Sequence, residues 1–86
     1  MAVRVISFFQ PGCIGCAEQI PINTEVAEAL HITIEEIDAI KNPHYIREFL
    51  LKVTPTIVIL NEGILQERFE GVVHTEQLTE AIKKYL

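Results

Sequence analysis

No tryptophan occurs in this 86-residue chain, cysteine occurs twice, and seven Lys and Arg stand against twelve Asp and Glu. Each shortage excludes something. The net charge is −5 and the largest basic cluster is the pair Lys83-Lys84, so electrostatic capture of nucleic acid or of an anionic membrane is not expected. Two cysteines cannot staple a secreted scaffold, and in a reducing cytosol a close pair points to reactivity or metal binding. No apolar run approaches the roughly 18 residues that span a bilayer. Met1-Ala2-Val3-Arg4-Val5 lacks the charged-then-apolar pattern of a secretory signal, so a cytoplasmic location is expected. What is present is apolar: 49% of residues, too many for disorder. The length suits one domain, residues 1–86, expected as a monomer.

The hydrophobic pattern divides the chain into seven elements. Val3–Phe9 is too continuously apolar for a one-sided strand and reads as buried. Gln10-Pro11-Gly12 ends it. Residues 14–30 read as a helix with Ala17, Ile20, Ala27 and Leu30 on one stripe and Val26 beside it. Pro21 predicts a kink, or a split into two helices with Asn23 or Thr24 capping the second. Residues 32–37 read as a strand. Asn42-Pro43 then starts a short helix that runs to about Leu51, with Ile46, Phe49 and Leu50 inward. Residues 56–60 and 64–69 form two strands joined by Asn61-Glu62-Gly63, the second more polar and hence an edge. Residues 75–86 close the chain as a helix facing inward through Leu78, Ala81, Ile82 and Tyr85. The order β-α-β-α-β-β-α predicts an α/β fold, a mixed four-stranded sheet with helices on both faces.

Chemistry concentrates at Pro11-Gly12-Cys13-Ile14-Gly15-Cys16. A C-x-x-C pair closes a small disulfide ring or contributes two ligands to a metal. Cys13 falls at the N-terminus of the first helix, where unpaired N–H groups and the helix dipole favour thiolate. Cys16 lies one turn on, carried towards the core. Cys13 is then the attacking sulfur, and Cys16 resolves the mixed disulfide. The metal reading needs about four ligands, and His31, His44 and His74 are scattered singly. Those histidines read as surface or cap residues, Asp38 as a turn residue, and Glu18, Glu25 and Glu28 as a solvated helix face. The topology brings the loop before the third strand, Thr54-Pro55, towards the cysteines.

Taken together, these stretches resemble the thioredoxin superfamily over nearly the whole chain. The matching features are Cys13-Ile14-Gly15-Cys16, Pro21 five residues on, Asp38 with Asn42-Pro43, Thr54-Pro55-Thr56, the Asn61-Glu62-Gly63 turn, and Gly71 ahead of the Leu78 helix. The resemblance implies a thioredoxin-like fold and a thiol–disulfide oxidoreductase with a redox-active Cys13–Cys16 pair and no other cofactor or metal. It also implies a cis Thr54–Pro55 bond and a partner-binding surface of Gly12, Ile14, Thr54, Pro55, Gly71 and Val72. Expected partners are disulfide-containing proteins and a separate reductase of the thioredoxin-reductase type.

The departures from the family pattern are specific. No β-α unit precedes the first strand, a glutaredoxin-like size. Gly12 replaces the usual tryptophan, Ile14-Gly15 replaces the usual Gly-Pro, and Ser7 stands where relatives carry a buried aspartate. Another group or water then has to assist proton transfer at Cys16. Gly71-Val72-Val73-His74 lacks a glutathione-binding Gly-Gly and Asp pair, which makes a glutathione-coupled glutaredoxin the lesser alternative. A metal- or thiol-ligand-binding module using the C-x-x-C is the rival from another class.

Overall fold

The computed structural model describes residues 2–86. Its elements in order are β1 (Val3–Phe9), α1 (Ile14–Leu30), β2 (Ile34–Asp38), α2 (His44–Glu48), β3 (Thr56–Asn61), β4 (Ile64–Glu70) and α3 (Thr75–Lys83). The strands form one sheet in the order β2-β1-β3-β4. β1 runs parallel to β2 and antiparallel to β3, and β3 runs antiparallel to β4, giving the expected mixed sheet. β4 is an edge, and the β3–β4 turn places both Glu62 (φ 55°) and Gly63 (φ 79°) in the left-handed region. That is the two-residue geometry that matches the twist of a hairpin.

Alternation along β1 and β3 explains why both read as continuously apolar. Val5, Ile57 and Ile59 face one side, where Val26, Val73, Leu78, Ala81 and Ile82 cover them from α1, α3 and the loop between β4 and α3. Ile6, Phe8, Val58 and Leu60 face the other, covered by Tyr45, Phe49 and Leu51 in and after α2. Phe8 packs against the rings of Tyr45 and Phe49 at 5.3 and 5.5 Å. Each such side chain removed from water contributes about 1.5–3 kcal/mol before entropy is counted.

Several local expectations are corrected. α1 runs unbroken through Pro21, and Asn23 and Thr24 lie inside it rather than capping a second helix. Its buried face is Cys16, Gln19, Asn23 and Val26, while Ala17 and Ile20 are exposed. The apolar stripe was out of phase because two of the four buried positions are polar: Gln19 is hydrogen-bonded through both amide atoms, and Asn23 through Oδ1 while its Nδ2 has no partner among the described residues. Gln19 Nε2 donates to Asn23 Oδ1 and to the Val73 carbonyl, each at 3.0 Å, and Gln19 Oε1 accepts from the Val73 N–H at 2.9 Å.

β2 starts at Ile34, two residues later than expected, because His31 takes a left-handed conformation and the Ile32 N–H closes back onto the Ala27 carbonyl. This is a helix-terminating motif that more often uses glycine. α2 ends at Glu48 for the same reason: Leu50 is left-handed (φ 52°) and the Leu51 N–H bonds to the Ile46 carbonyl. Leu50 therefore points outward, 67% exposed, and Tyr45 and Leu51 take its place beside Phe49. α3 stops at Lys83.

One irregularity interrupts the hairpin. Ile59 pairs with Glu67 but Leu60 pairs with Leu65, which leaves Gln66 as an extra residue in β4.

Candidate active site

β1 is central in the sheet, held on both sides by ladders, and it aims its C-terminal end at the cysteine loop. Pro11 and Gly12 then turn the chain, with Gly12 left-handed at φ 77°. Cys13 is the N-cap of α1: its backbone is extended, and its Sγ accepts a hydrogen bond from the Cys16 N–H at 3.1 Å. The two cysteines form a disulfide. Cys13 is partly exposed at the rim, whereas Cys16 is 5% exposed and faces the core. The helix thus gives the two sulfurs unequal access, as its first turn predicts.

Two loops flank the disulfide. In one, the Thr54–Pro55 peptide bond is cis. The Thr54 carbonyl oxygen lies 3.5 Å from Cys13 Sγ. A disulfide sulfur carries no hydrogen, so this contact becomes a hydrogen bond only when Cys13 is a thiol. The Thr54 hydroxyl donates to Cys13 Sγ at 3.4 Å and accepts from Gln10 Nε2 at 2.9 Å. In the other loop, Gly71 is left-handed (φ 87°), and a Cβ built there would meet nothing within 4 Å. The Gly71 N–H bonds to the Pro55 carbonyl at 2.8 Å, tying the two loops together. Among the described residues the Thr54 and Val72 N–H groups have no hydrogen-bond partner. They are available to an extended chain laid across the cysteines.

Gly12, Ile14, Thr54, Pro55, Gly71 and Val72 therefore all lie in or beside this surface. Ile14 is 88% exposed, and Val73, the neighbour of Val72, is core at 3%. An open groove of about 430 Å³ runs from Phe9 and Gln10 past Cys13 to Ala17 and Ile20. A second groove begins at Gln10 and Thr54 and passes Ile40, Ile46 and Val53.

Sequence reasoning missed three contributors. Gly15 is required by proximity: a Cβ there would stand 3.1 Å from Pro55 Cδ and 3.4 Å from Val72 Cγ2. A glycine in the first turn of a helix, where its propensity is poor, was the available signal. Gln10 was read as part of the loop that ends β1, and Gln19 was given no role.

Ser7 is buried in the middle of β1, paired with Glu36 and Ile57. Among the described residues no group of three or more His, Cys, Asp or Glu side chains comes together. Asp38 is a turn residue: its Oδ1 accepts from the Ile40 and Lys41 N–H groups at 2.8 and 3.2 Å. His31 and His74 are helix caps, and His44 opens α2 against Tyr45.

A thioredoxin family profile matches residues 2–84. The chain belongs to the thioredoxin family. It is 32% identical over 84 residues to thioredoxin Y2, chloroplastic, of Arabidopsis thaliana, a match that covers 95% of this chain and 50% of that protein. The chain thus spans half the length of that relative. It is 27% identical over 82 residues to a thioredoxin of Chlamydia trachomatis, covering 94% of this chain and 80% of the relative. Among solved structures it superposes on thioredoxin-2 of a malaria parasite with a TM-score of 0.90 and 28% identity, covering 96% of this chain and 82% of that one. Membership in the thioredoxin family accounts for the placement of Cys13, Pro21, Pro55 and Gly71.

Proposed function

We propose that the chain is a thiol–disulfide oxidoreductase that reduces protein disulfides through Cys13 and Cys16. One observation carries the reading: a disulfide whose outer sulfur is open at the rim, whose inner sulfur is buried, and which is flanked by backbone groups without partners. In the reduced state the Cys13 thiolate attacks one sulfur of a partner disulfide. A Cys13–partner bond forms, the partner's S–S bond breaks, and its second sulfur leaves as thiolate and takes a proton. The Cys16 thiol then loses its proton and attacks Cys13 Sγ. The Cys13–Cys16 disulfide forms, and the partner leaves as a dithiol, reduced by two electrons. Thr54 and Val72 hold the partner chain extended during both displacements. Ser7 supplies no carboxylate to take the Cys16 proton, so another group or water takes it.

Regeneration is assigned to a separate reductase, and the redox-active disulfide is the only cofactor the cycle requires. A cytoplasmic location belongs to the proposal and rests on the composition alone. Among the described residues no helix is long and apolar enough to cross a membrane. The relative from Arabidopsis thaliana carries a chloroplastic name.

Trapping tests the reading. Cys16→Ser is expected to accumulate mixed disulfides with cell proteins through Cys13, resolved by non-reducing electrophoresis, and Cys13→Ser is expected to accumulate none. Absence of adducts in both variants rejects it.

A further inference from the structure

Cys13 Sγ receives two donors that point at it from different elements. The Cys16 N–H comes from the first turn of α1, and the Thr54 hydroxyl comes across the gap from the loop before β3. The first follows from any helix that begins at this cysteine. The second depends on the residue at position 54 and on which way its hydroxyl hydrogen turns. A hydroxyl has one hydrogen and rotates freely, so an oxygen that donates to sulfur must be kept from donating elsewhere. Gln10 does this. Its amide nitrogen donates to Thr54 Oγ1 at 2.9 Å, fills an acceptor position of that oxygen and leaves the hydroxyl hydrogen for Cys13. Donors in series also polarise one another, so the terminal bond strengthens.

We propose that Gln10 and Thr54 form a two-step donor chain that stabilises the Cys13 thiolate, with Gln10 as a positioning residue acting only through the Thr54 hydroxyl. The inference rests on the reading of Cys13 as the attacking sulfur. The two faces of Thr54 make the effect selective for charge. Its carbonyl oxygen, 3.5 Å from Cys13 Sγ, accepts a hydrogen bond from the thiol and repels the thiolate. Its hydroxyl does the reverse, favouring the thiolate as acceptor. With the hydroxyl removed, the Cys16 N–H is the one donor of the two that remains against the carbonyl, and the balance shifts towards the neutral thiol. The donor chain also sits where basic residues are missing: no Lys or Arg lines the groove at Cys13. Hydrogen-bond donors, with the helix N-terminus, take the part a nearby cation plays at other reactive thiols.

The test is the pH profile of Cys13 alkylation by iodoacetamide in the full chain, in a Cys16→Ser background where Cys13 is the only thiol. Thr54→Val keeps the shape of the side chain and removes the hydroxyl. It is expected to slow alkylation about tenfold below the midpoint, moving the midpoint to higher pH, with no change on the alkaline plateau, since one pKa step is a factor of ten in thiolate. Thr54→Ser is expected to restore the parental profile. Gln10→Ala is expected to slow the reaction about threefold in the parent and not at all in Thr54→Val, since a residue acting only through another has no effect once that one is gone. An unchanged midpoint in Thr54→Val overturns the proposal. So does a Gln10→Ala effect that persists without the hydroxyl, or a Gln10→Ala protein that reacts faster. Alkylation needs no protein substrate, so this result is independent of whether mixed disulfides form in the trapping experiment.

Discussion

The two loops beside the disulfide are held in opposite ways. The Thr54–Pro55 loop is fastened at the rim, by Gln10 and Cys13 side-chain contacts that water can reach. The loop from Gly71 to Val73 is fastened from inside, by the Gln19 amide pairing with both the N–H and the carbonyl of Val73 as a neighbouring strand would. Gln19 is 1% exposed and Val73 3%. A buried amide that bonds with a loop's backbone sets that loop's position and contributes to stability. A rim hydroxyl contributes little to stability and acts on the sulfur it touches. The difference makes the Gln19 anchor architectural and the Thr54 side chain chemical, while each loop offers one backbone N–H to a partner chain.

Breaking the inner clamp is expected to have the largest effect. Gln19→Met fills similar space but strands the Val73 N–H and carbonyl in the core. It is expected to cost about 3 kcal/mol, each unsatisfied buried group costing about 1–3 kcal/mol. Urea denaturation measures it, read as a lowered midpoint at unchanged slope. A loss under about 1 kcal/mol, within reach of one net hydrogen bond, would mean the clamp is not holding the loop.

Gly15→Val drives side-chain atoms against Pro55 and Val72 together. It is expected to cost about 2 kcal/mol by overpacking, and to shift the backbone NMR resonances of both loops at once. A shift confined to one loop would show that the Gly71–Pro55 hydrogen bond does not couple them.

The smallest effect belongs to a site remote from both loops. Arg4 forms a two-point hydrogen-bonded ion pair with Glu35 at 2.8 and 2.9 Å. That pairing holds the Glu35 carboxyl below its usual range. Arg4 stays charged throughout. A carboxylate with a depressed folded pKa stabilises above its unfolded pKa and loses that contribution as pH falls through the folded value. Arg4→Ala is therefore expected to cost about 0.5 kcal/mol at neutral pH, small because both side chains are solvated. The difference from wild type should vanish in acid, as denaturation at several pH values would show.

The same contrast explains what could be read from the sequence. The mixed four-stranded sheet, the β3–β4 hairpin and the cysteine-to-proline juxtaposition were legible because β1 and β3 are apolar on both faces and the C-x-x-C falls between a strand and a helix. The end of α1 at Leu30 was legible as well, but the end of α2 was not: Leu50 takes the left-handed position that glycine usually marks, so nothing in the sequence announces that stop. The phase of α1 was misread because Gln19 is buried through a partner far along the chain, Val73, and Asn23 is buried beside it, bonded to Gln19. Hydrophobic periodicity has no access to such a contact. Gln10 was invisible for a related reason, since its partner Thr54 is forty-four residues away.

The extra residue in β4 has a consequence for how copies of the chain meet. A sheet whose outer strands keep a regular row of free backbone groups invites further strands to add, from the same protein or another. Here Gln66 breaks that row on one side. On the other, β2 is five residues long and carries Glu35, Glu36 and Asp38. Bulges and charged, short outer strands oppose such growth. Contacts between molecules are thereby steered away from the sides of the sheet and towards its one end where backbone groups stay unpaired, the end that carries the sulfurs.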